Sequence, residues 1–308
     1  MTYHEPALAK ECIEGLDIQP EGIYVDVTFG GGGHSRLILK ELGENGQLQA
    51  FDQDEDALQN LIDDDRFTFN HHNFRFMKRF LKLHGIRKVD GILADLGVSS
   101  HQLDEAKRGF SFRFDAELDM RMNQEDSKKA SDIVNIYNVS ELQRVFSQYG
   151  EVRNSKSLAE RIIQERDARK IVTIADFLNV VEPLIRGQKN RYLAQVFQAL
   201  RIEVNDEMGA LKTFLEDSLE ILNTDGRLVI ISYHSIEDRL VKNFLKTGNV
   251  AGQVIKNDFG HIYRPFRLIN KKPILPSTEE IRQNPRARSA KLRVGSRQLA
   301  VGSQQKRK

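Results

Sequence analysis

Four consecutive glycines, Gly30–Gly33, stand where a β-branched and aromatic run, Ile23–Phe29, gives way to an amphipathic stretch, Ser35–Leu42. A strand that ends in glycine and re-enters a helix reads as the joint of a βαβ unit. Glycine there permits positive φ and lets backbone amides approach a ligand closely. The same rhythm continues downstream. Gln47–Phe51 reads as a second strand closed by Asp52, Ala57–Ile62 as helix, Phe67–Asn70 as a third strand and Phe74–His84 as helix. Val89–Ala94 is apolar almost throughout, as a strand covered on both faces must be. Alternation of this kind predicts an α/β fold on a mainly parallel sheet.

After Gly97 the rhythm breaks. No strand pattern stands out up to about Tyr192, only helical segments: Ser140 is the expected cap of one that ends at Gly150, and Thr173 with Asp176 reads as a capping box. Leu200, Val204, Met208 and Leu211 share one helical face, which predicts a single long helix over Phe197–Leu222. Arg227–Ser232 resumes the sheet as a fifth strand. Four of the seven prolines fall between Pro265 and Pro285, so the C-terminal region is expected to be extended and to wrap the surface. The expected division is therefore a discontinuous domain, residues 1–100 with 197–308, interrupted by a helical insertion over 101–196.

Composition narrows the classes. At 308 residues with 40% hydrophobic and 29% charged residues, the chain is of globular and not disordered type. No apolar run reaches membrane length, and Met1–Lys10 lacks the charged-then-apolar order of a signal peptide. The lone Cys12 permits no internal disulfide and argues against a zinc finger, so a cytoplasmic, reducing setting is expected. The net charge of +2 is unevenly placed. Arg286–Lys308 holds eight Lys/Arg and no acid, which leaves 38 basic against 44 acidic residues elsewhere. An acidic body with a basic tail points to a polyanion met by one surface.

Chemistry concentrates at the expected strand ends. Asp52 lies nineteen residues after Gly33, at the end of the second strand, where a carboxylate accepts hydrogen bonds from both ribose hydroxyls of a nucleoside. The glycine loop with Asp52 fits either a dinucleotide or S-adenosylmethionine. Three features favour the latter. Ser35 stands where the dinucleotide pattern G-x-G-x-x-G needs its last glycine. The insertion leaves only one nucleotide-binding half. Asp26, at the end of the first strand, is common in methyltransferase first motifs, near the methionine amine. A second cluster, Ala94–Ser100, follows the fourth strand at the edge where open α/β sheets bind ligands. Asp95 there can hold the methionine amine, accept from an exocyclic amine of the target base, or do both, against a reading as a cap for the following turn.

The chain resembles, nearly end to end, the MraW/RsmH family of bacterial 16S rRNA (cytosine-N4) methyltransferases. The strings that carry the resemblance are Asp26–Ser35, Asp90–Asp104, Arg108–Met122, Phe197–Asn205, Ile231–Arg239 and Asn284–Arg293. The resemblance implies a Rossmann-like class I S-adenosylmethionine-dependent methyltransferase with a helical insertion domain for RNA recognition. It implies that Gly32, Gly33, His34, Asp52, Phe74, Asp95 and Gln102 line the cofactor site, with Phe74 offering an apolar face to adenine. It also implies the acceptor: N4 of a cytidine in 16S rRNA near the decoding centre, within the small ribosomal subunit. His101 stands where the family has proline, and Ala116-Glu117 where it has glycine-proline; both are loop positions.

Other residues suit RNA. Arg108 to Phe114 alternates cations and aromatics, so Arg108, Phe110 and Arg113 are candidate base and phosphate contacts, against a reading of Phe110 as core. His234, after the fifth strand, is a candidate base contact or proton shuttle, against a structural histidine. Arg286, Arg288, Lys291 and Arg293 are candidate phosphate contacts. His71, His72 and His84 do not read as a metal site, since adjacent residues of a strand face opposite ways. Two rivals remain: a nucleotide-dependent oxidoreductase using the same loop and Asp52, and a non-catalytic ribosome assembly factor.

Overall fold

The computed structural model describes residues 6–298. The chain divides into two compact units, Met1–Gly97 with Gly209–Lys308, and Val98–Met208.

The first unit is built on a seven-stranded sheet: β1 (Ile23–Asp26), β2 (Gln47–Asp52), β3 (Phe67–His71), β4 (Val89–Asp95), β5 (Leu222–Ser232), β6 (Phe266–Leu268) and β7 (Lys291–Arg297), in the order β3-β2-β1-β4-β5-β7-β6. Strands β1 to β5 are mutually parallel, and β7 runs antiparallel between β5 and β6. Parallel strands need crossovers, and the intervening helices and turns bury apolar side chains such as Leu16, Ile38, Met77 and Phe244 against the sheet. In register, Asp26 lies beside Ala50 and Asp95 beside Ile231, so the carboxyl ends of β1, β2, β4 and β5 share one edge. Strand order reverses between β1 and β4. That switch point is where open α/β sheets take their ligands.

The second unit is helical, with Ser100–Asp104, Ala130–Ile136, Val139–Gly150, Ser155–Ala168, Ile174–Val181 and Lys189–Asn205. It carries its own core around Phe146, Leu158, Phe177 and Leu200, with Phe177 and Phe112 packed on the Phe197 ring. Asn205 locks its C-terminal end: its amide donates to the Met120 and Arg201 carbonyls at 2.8 Å and accepts from the Met122 N–H at 2.7 Å.

Several expectations change. The C-terminal region does not merely wrap the surface: Lys291–Arg297 is a buried strand of the sheet interior. It does not read as an apolar buried strand because the buried Arg293 is basic and finds its partner, Asp238, on the helix Ser235–Thr247. The long helix is two, Lys189–Asn205 and Glu207–Ile221, broken at Asp206, whose φ of 46° is left-handed. The expected boundary at 196/197 falls within Lys189–Asn205, whereas the compact units part at Met208/Gly209, two residues into the next helix. Asn138, not Ser140, caps Val139–Gly150, in a capping box with Glu141. The Thr173–Asp176 capping box is present. Glu55–Asn60 is a 3-10 turn where an α-helix over Ala57–Ile62 was expected, and β1 stops at Asp26, short of Phe29. The basic residues Lys306–Lys308 lie outside the described residues.

Candidate active site

The turn after β1 is held from within. The buried Asp26 carboxylate accepts from the Thr28 N–H at 3.1 Å and from the Ser35 hydroxyl at 2.7 Å. Burial pushes its carboxyl up, while His34, Ser35 and Thr28 pull it back. Asp26 thus ties both ends of the loop, whatever it does for a ligand. Gly32 caps the helix Gly33–Glu41 at φ 73°, and a Cβ there would fall 3.0 Å from the Phe29 ring. Only glycine fits that turn without strain.

Asp52, at the end of β2, accepts from the Gly30 N–H at 2.7 Å through one oxygen and from the Asp54 N–H at 2.9 Å through the other. Each oxygen keeps a further lone pair. Burial raises its carboxyl to about 6 despite those two bonds. Asp95, at the end of β4, is tied twice. Its N–H donates to the Thr28 hydroxyl at 2.7 Å, and its Oδ1 accepts from the Tyr233 hydroxyl at 2.9 Å. Burial first, then the adjacent Asp95 carboxylate, drives the Tyr233 hydroxyl far above its usual range, so it remains a donor. The other oxygen, Oδ2, lies 3.6 Å from His34 Nε2. Among the described residues the side chain of Asp95 faces Tyr233 and His34 and does not cap the turn after it.

His34 is 5% exposed, and neither ring nitrogen finds a hydrogen-bond partner among the described residues. A buried imidazole is rarely left so, because an unmade bond costs about 1–3 kcal/mol. Together with the glycine turn and the spare lone pairs of Asp52, this suits a bound nucleoside carrying polar groups toward His34. Phe74 stands half-buried at the start of the turn Phe74–Phe76, edge-on to Phe214 at 5.5 Å. Gln102 belongs to the helical unit, where it is buried and completes a capping box with Ser99. The structure thus gathers Gly32, Gly33, His34, Asp52 and Asp95 along one sheet edge. Thr28 and Tyr233, to which sequence reasoning gave no role, hold Asp95. Only their place at strand ends could have singled them out.

The candidate RNA residues scatter. Arg108 is 3% exposed and donates to the Arg121 and Met122 carbonyls at 3.0 Å, and Phe110 sits in the helical core. Both shape a folded loop, and of this trio only Arg113 is exposed. His234 caps the helix Ser235–Thr247 and closes a capping box with Glu237. Arg293 is buried against Asp238, with contacts of 2.7 and 3.2 Å, and Lys291 lies 4.0 Å from the same carboxylate. Arg286 is half-buried and Arg288 exposed. His84 bonds Asn70 at 2.9 Å, and His72 packs on Phe80.

Five parallel strands, a reversed β7, a glycine turn after β1 and acids ending β2 and β4 define a Rossmann-like class I methyltransferase. The model of the MraW methylase family matches residues 1–298, and the chain belongs to that family. The chain is 54% identical over 298 residues to the ribosomal RNA small subunit methyltransferase H of Bacteroides thetaiotaomicron, covering 96% of this chain and 98% of that one. To the protein of the same name from Parabacteroides distasonis it is 56% identical over 297 residues, 96% and 97% covered. S-adenosylmethionine is the methyl donor of this class, and the oxidoreductase reading falls away. No helix among the described residues is long and apolar enough to cross a membrane.

Proposed function

We propose that this protein methylates the exocyclic N4 of a cytidine in 16S rRNA, near the decoding centre of the small ribosomal subunit. The observation that carries the reading is Asp95, fixed at the sheet edge by Thr28 and Tyr233, with Oδ2 turned toward the buried His34. The names of the relatives supply the class of RNA, and the family resemblance supplies the atom.

In this reading the glycine turn, His34 and Asp52 hold the cofactor, with Asp52 accepting from ribose hydroxyls. Bound S-adenosylmethionine supplies an electrophilic methyl group on sulfonium. The residues then have mainly to align and polarise the acceptor. A cytosine amine is a poor nucleophile because its lone pair is delocalised into the ring. Asp95 Oδ2 accepts one of its N–H bonds, which localises the lone pair, and takes up the proton the amine loses. Tyr233 holds Oδ1, so the carboxylate cannot rotate away. The helical unit, Val98–Met208, contributes RNA recognition, with Arg113 its exposed candidate.

The test is incubation with labelled S-adenosylmethionine and small subunits lacking cytidine N4 methylation, followed by nucleoside analysis. Labelled N4-methylcytidine is expected. Label on another nucleoside overturns the assignment of the atom, and cofactor binding without turnover favours the assembly-factor reading.

Asp52 adds a pH dependence. Protonated, it loses acceptor capacity for ribose, so cofactor affinity should fall as pH drops below about 6, by up to about tenfold per unit. Asp52→Asn should bind weakly and without that dependence; calorimetry between pH 5 and 8 reads both. For the cofactor-free protein the sign is opposite. A carboxyl raised on folding contributes stability below its unfolded value of about 4, and that contribution is lost as pH rises through about 6.

A further inference from the structure

We propose that the sheet unit carries a second RNA-docking surface, a hairpin over 253–263 with the basic face beside it; this rests on the ribosomal RNA reading above. The hairpin is bonded from within. The Tyr263 N–H donates to the Ile255 carbonyl at 2.8 Å and the Asn257 N–H to the His261 carbonyl at 3.0 Å. The Asn257 side chain accepts from the N–H groups of Phe259 and His261, closing the tip. Its root is fitted to the end of the helix Ser235–Thr247. Gly248 caps that helix at φ 74°, and a Cβ there would fall 2.3 Å from Pro265 and 2.9 Å from the Tyr263 ring.

On this braced arm Phe259 is 86% exposed, and Val254 and Ile255 about half exposed. An aromatic ring held out on a self-bonded turn is a stacking platform for an unpaired base. The charge beside it is one-sided. From Lys242 to Lys272 the chain has seven Lys/Arg and one acid, Asp258. Lys242, Lys246 and Lys271 line a cavity of about 170 Å³ with Leu245, Leu268, Asn270 and Arg293. Arg293 is neutralised by Asp238, whereas these three exposed lysines form no ion pair among the described residues. Three exposed lysines that line one small concavity concentrate positive charge within reach of a backbone phosphate, and the rest of the chain is acidic in balance. An anionic membrane would also accept cations beside exposed apolar groups. A cavity ringed by lysines suits a discrete phosphate better than a lipid plane, and the substrate class is RNA.

The test is binding of the full-length protein to labelled 16S rRNA fragments across a salt series, read without turnover. Lys242→Glu/Lys246→Glu/Lys271→Glu should lose at least about tenfold in affinity and reduce the log–log salt slope by about two. Phe259→Ala should lose about tenfold with the slope unchanged, since stacking releases no counterions. Both variants should keep the melting temperature and the S-adenosylmethionine affinity. Unchanged RNA affinity and slope in both variants overturn the proposal. So does loss of binding to phosphatidylglycerol vesicles with RNA binding intact. Failure to methylate N4 would leave this measurement standing, whereas a wild-type protein that binds no ribosomal RNA overturns both readings.

Discussion

Asp95→Asn should lower methyl transfer by about a hundred- to a thousandfold while leaving the fold intact. The substitution is isosteric. The Asp95 N–H keeps its bond to Thr28, and the amide oxygen can still accept from Tyr233, so the sheet edge has no reason to move. What changes is the second position, where an NH₂ group would confront the N–H of the target amine, donor against donor. Single-turnover rates with small subunits and calorimetry with S-adenosylmethionine divide the open roles. Lost turnover with full cofactor affinity assigns Asp95 to the acceptor amine. Lost affinity as well assigns it to the methionine amine, and a near-wild-type rate excludes both. Tyr233→Phe is the milder companion. It frees the carboxylate to rotate and should slow turnover by about three- to tenfold without weakening cofactor binding.

Arg293→Ala should destabilise the protein by about 3 kcal/mol, read by denaturant unfolding. The guanidinium is buried in β7 and bonded twice to Asp238, so its removal strands a carboxylate whose remaining cation among the described residues is Lys291, 4.0 Å away. The helix N-terminus beneath Asp238 softens the loss without replacing the bidentate bond. Arg293→Met with Asp238→Leu should recover most of it, because a buried ion pair can be exchanged for apolar packing at little cost. Were Arg293 a phosphate contact, the single variant would instead keep its stability and bind RNA less well.

The contrast between these two residues shows which signals are legible in a chain. The positions of Asp95 and Asp52 are legible because each is an acid closing an apolar run, and in a parallel sheet such residues fall at the carboxyl edge of the strands. The glycine turn was readable for the same local reason. Arg293 was misread because its environment is made by Asp238, 55 residues earlier in the chain, and nothing near Arg293 announces a buried partner. For Arg108 and Phe110 alternating cations and aromatics describe a stacking surface and a self-bonded loop equally well, and the structure places Phe110 in the core and Arg108 within the loop. The break at Asp206 was hidden because apolar spacing carries across it, and a left-handed aspartate leaves little trace in a hydrophobic pattern. The assignment of the methyl acceptor came from resemblance alone, since no spacing of residues spells out a nucleotide.

The placement of the insertion between β4 and β5 bears on how the sheet can close. Ala94 pairs with Ile230, so the sheet can close only by joining strands more than a hundred residues apart. From Ala130 to Asn205 the helices follow one another through short connections, which favours rapid formation. Once that unit has condensed, it replaces a long flexible loop by a compact body. The entropy of bringing β4 to β5, which grows with the logarithm of loop length, then shrinks. Until that moment β4 displays a bare apolar edge. The inserted unit is therefore expected to ease closure of the strand that carries Asp95, and a refolding rate unchanged by destabilising that unit's core overturns this.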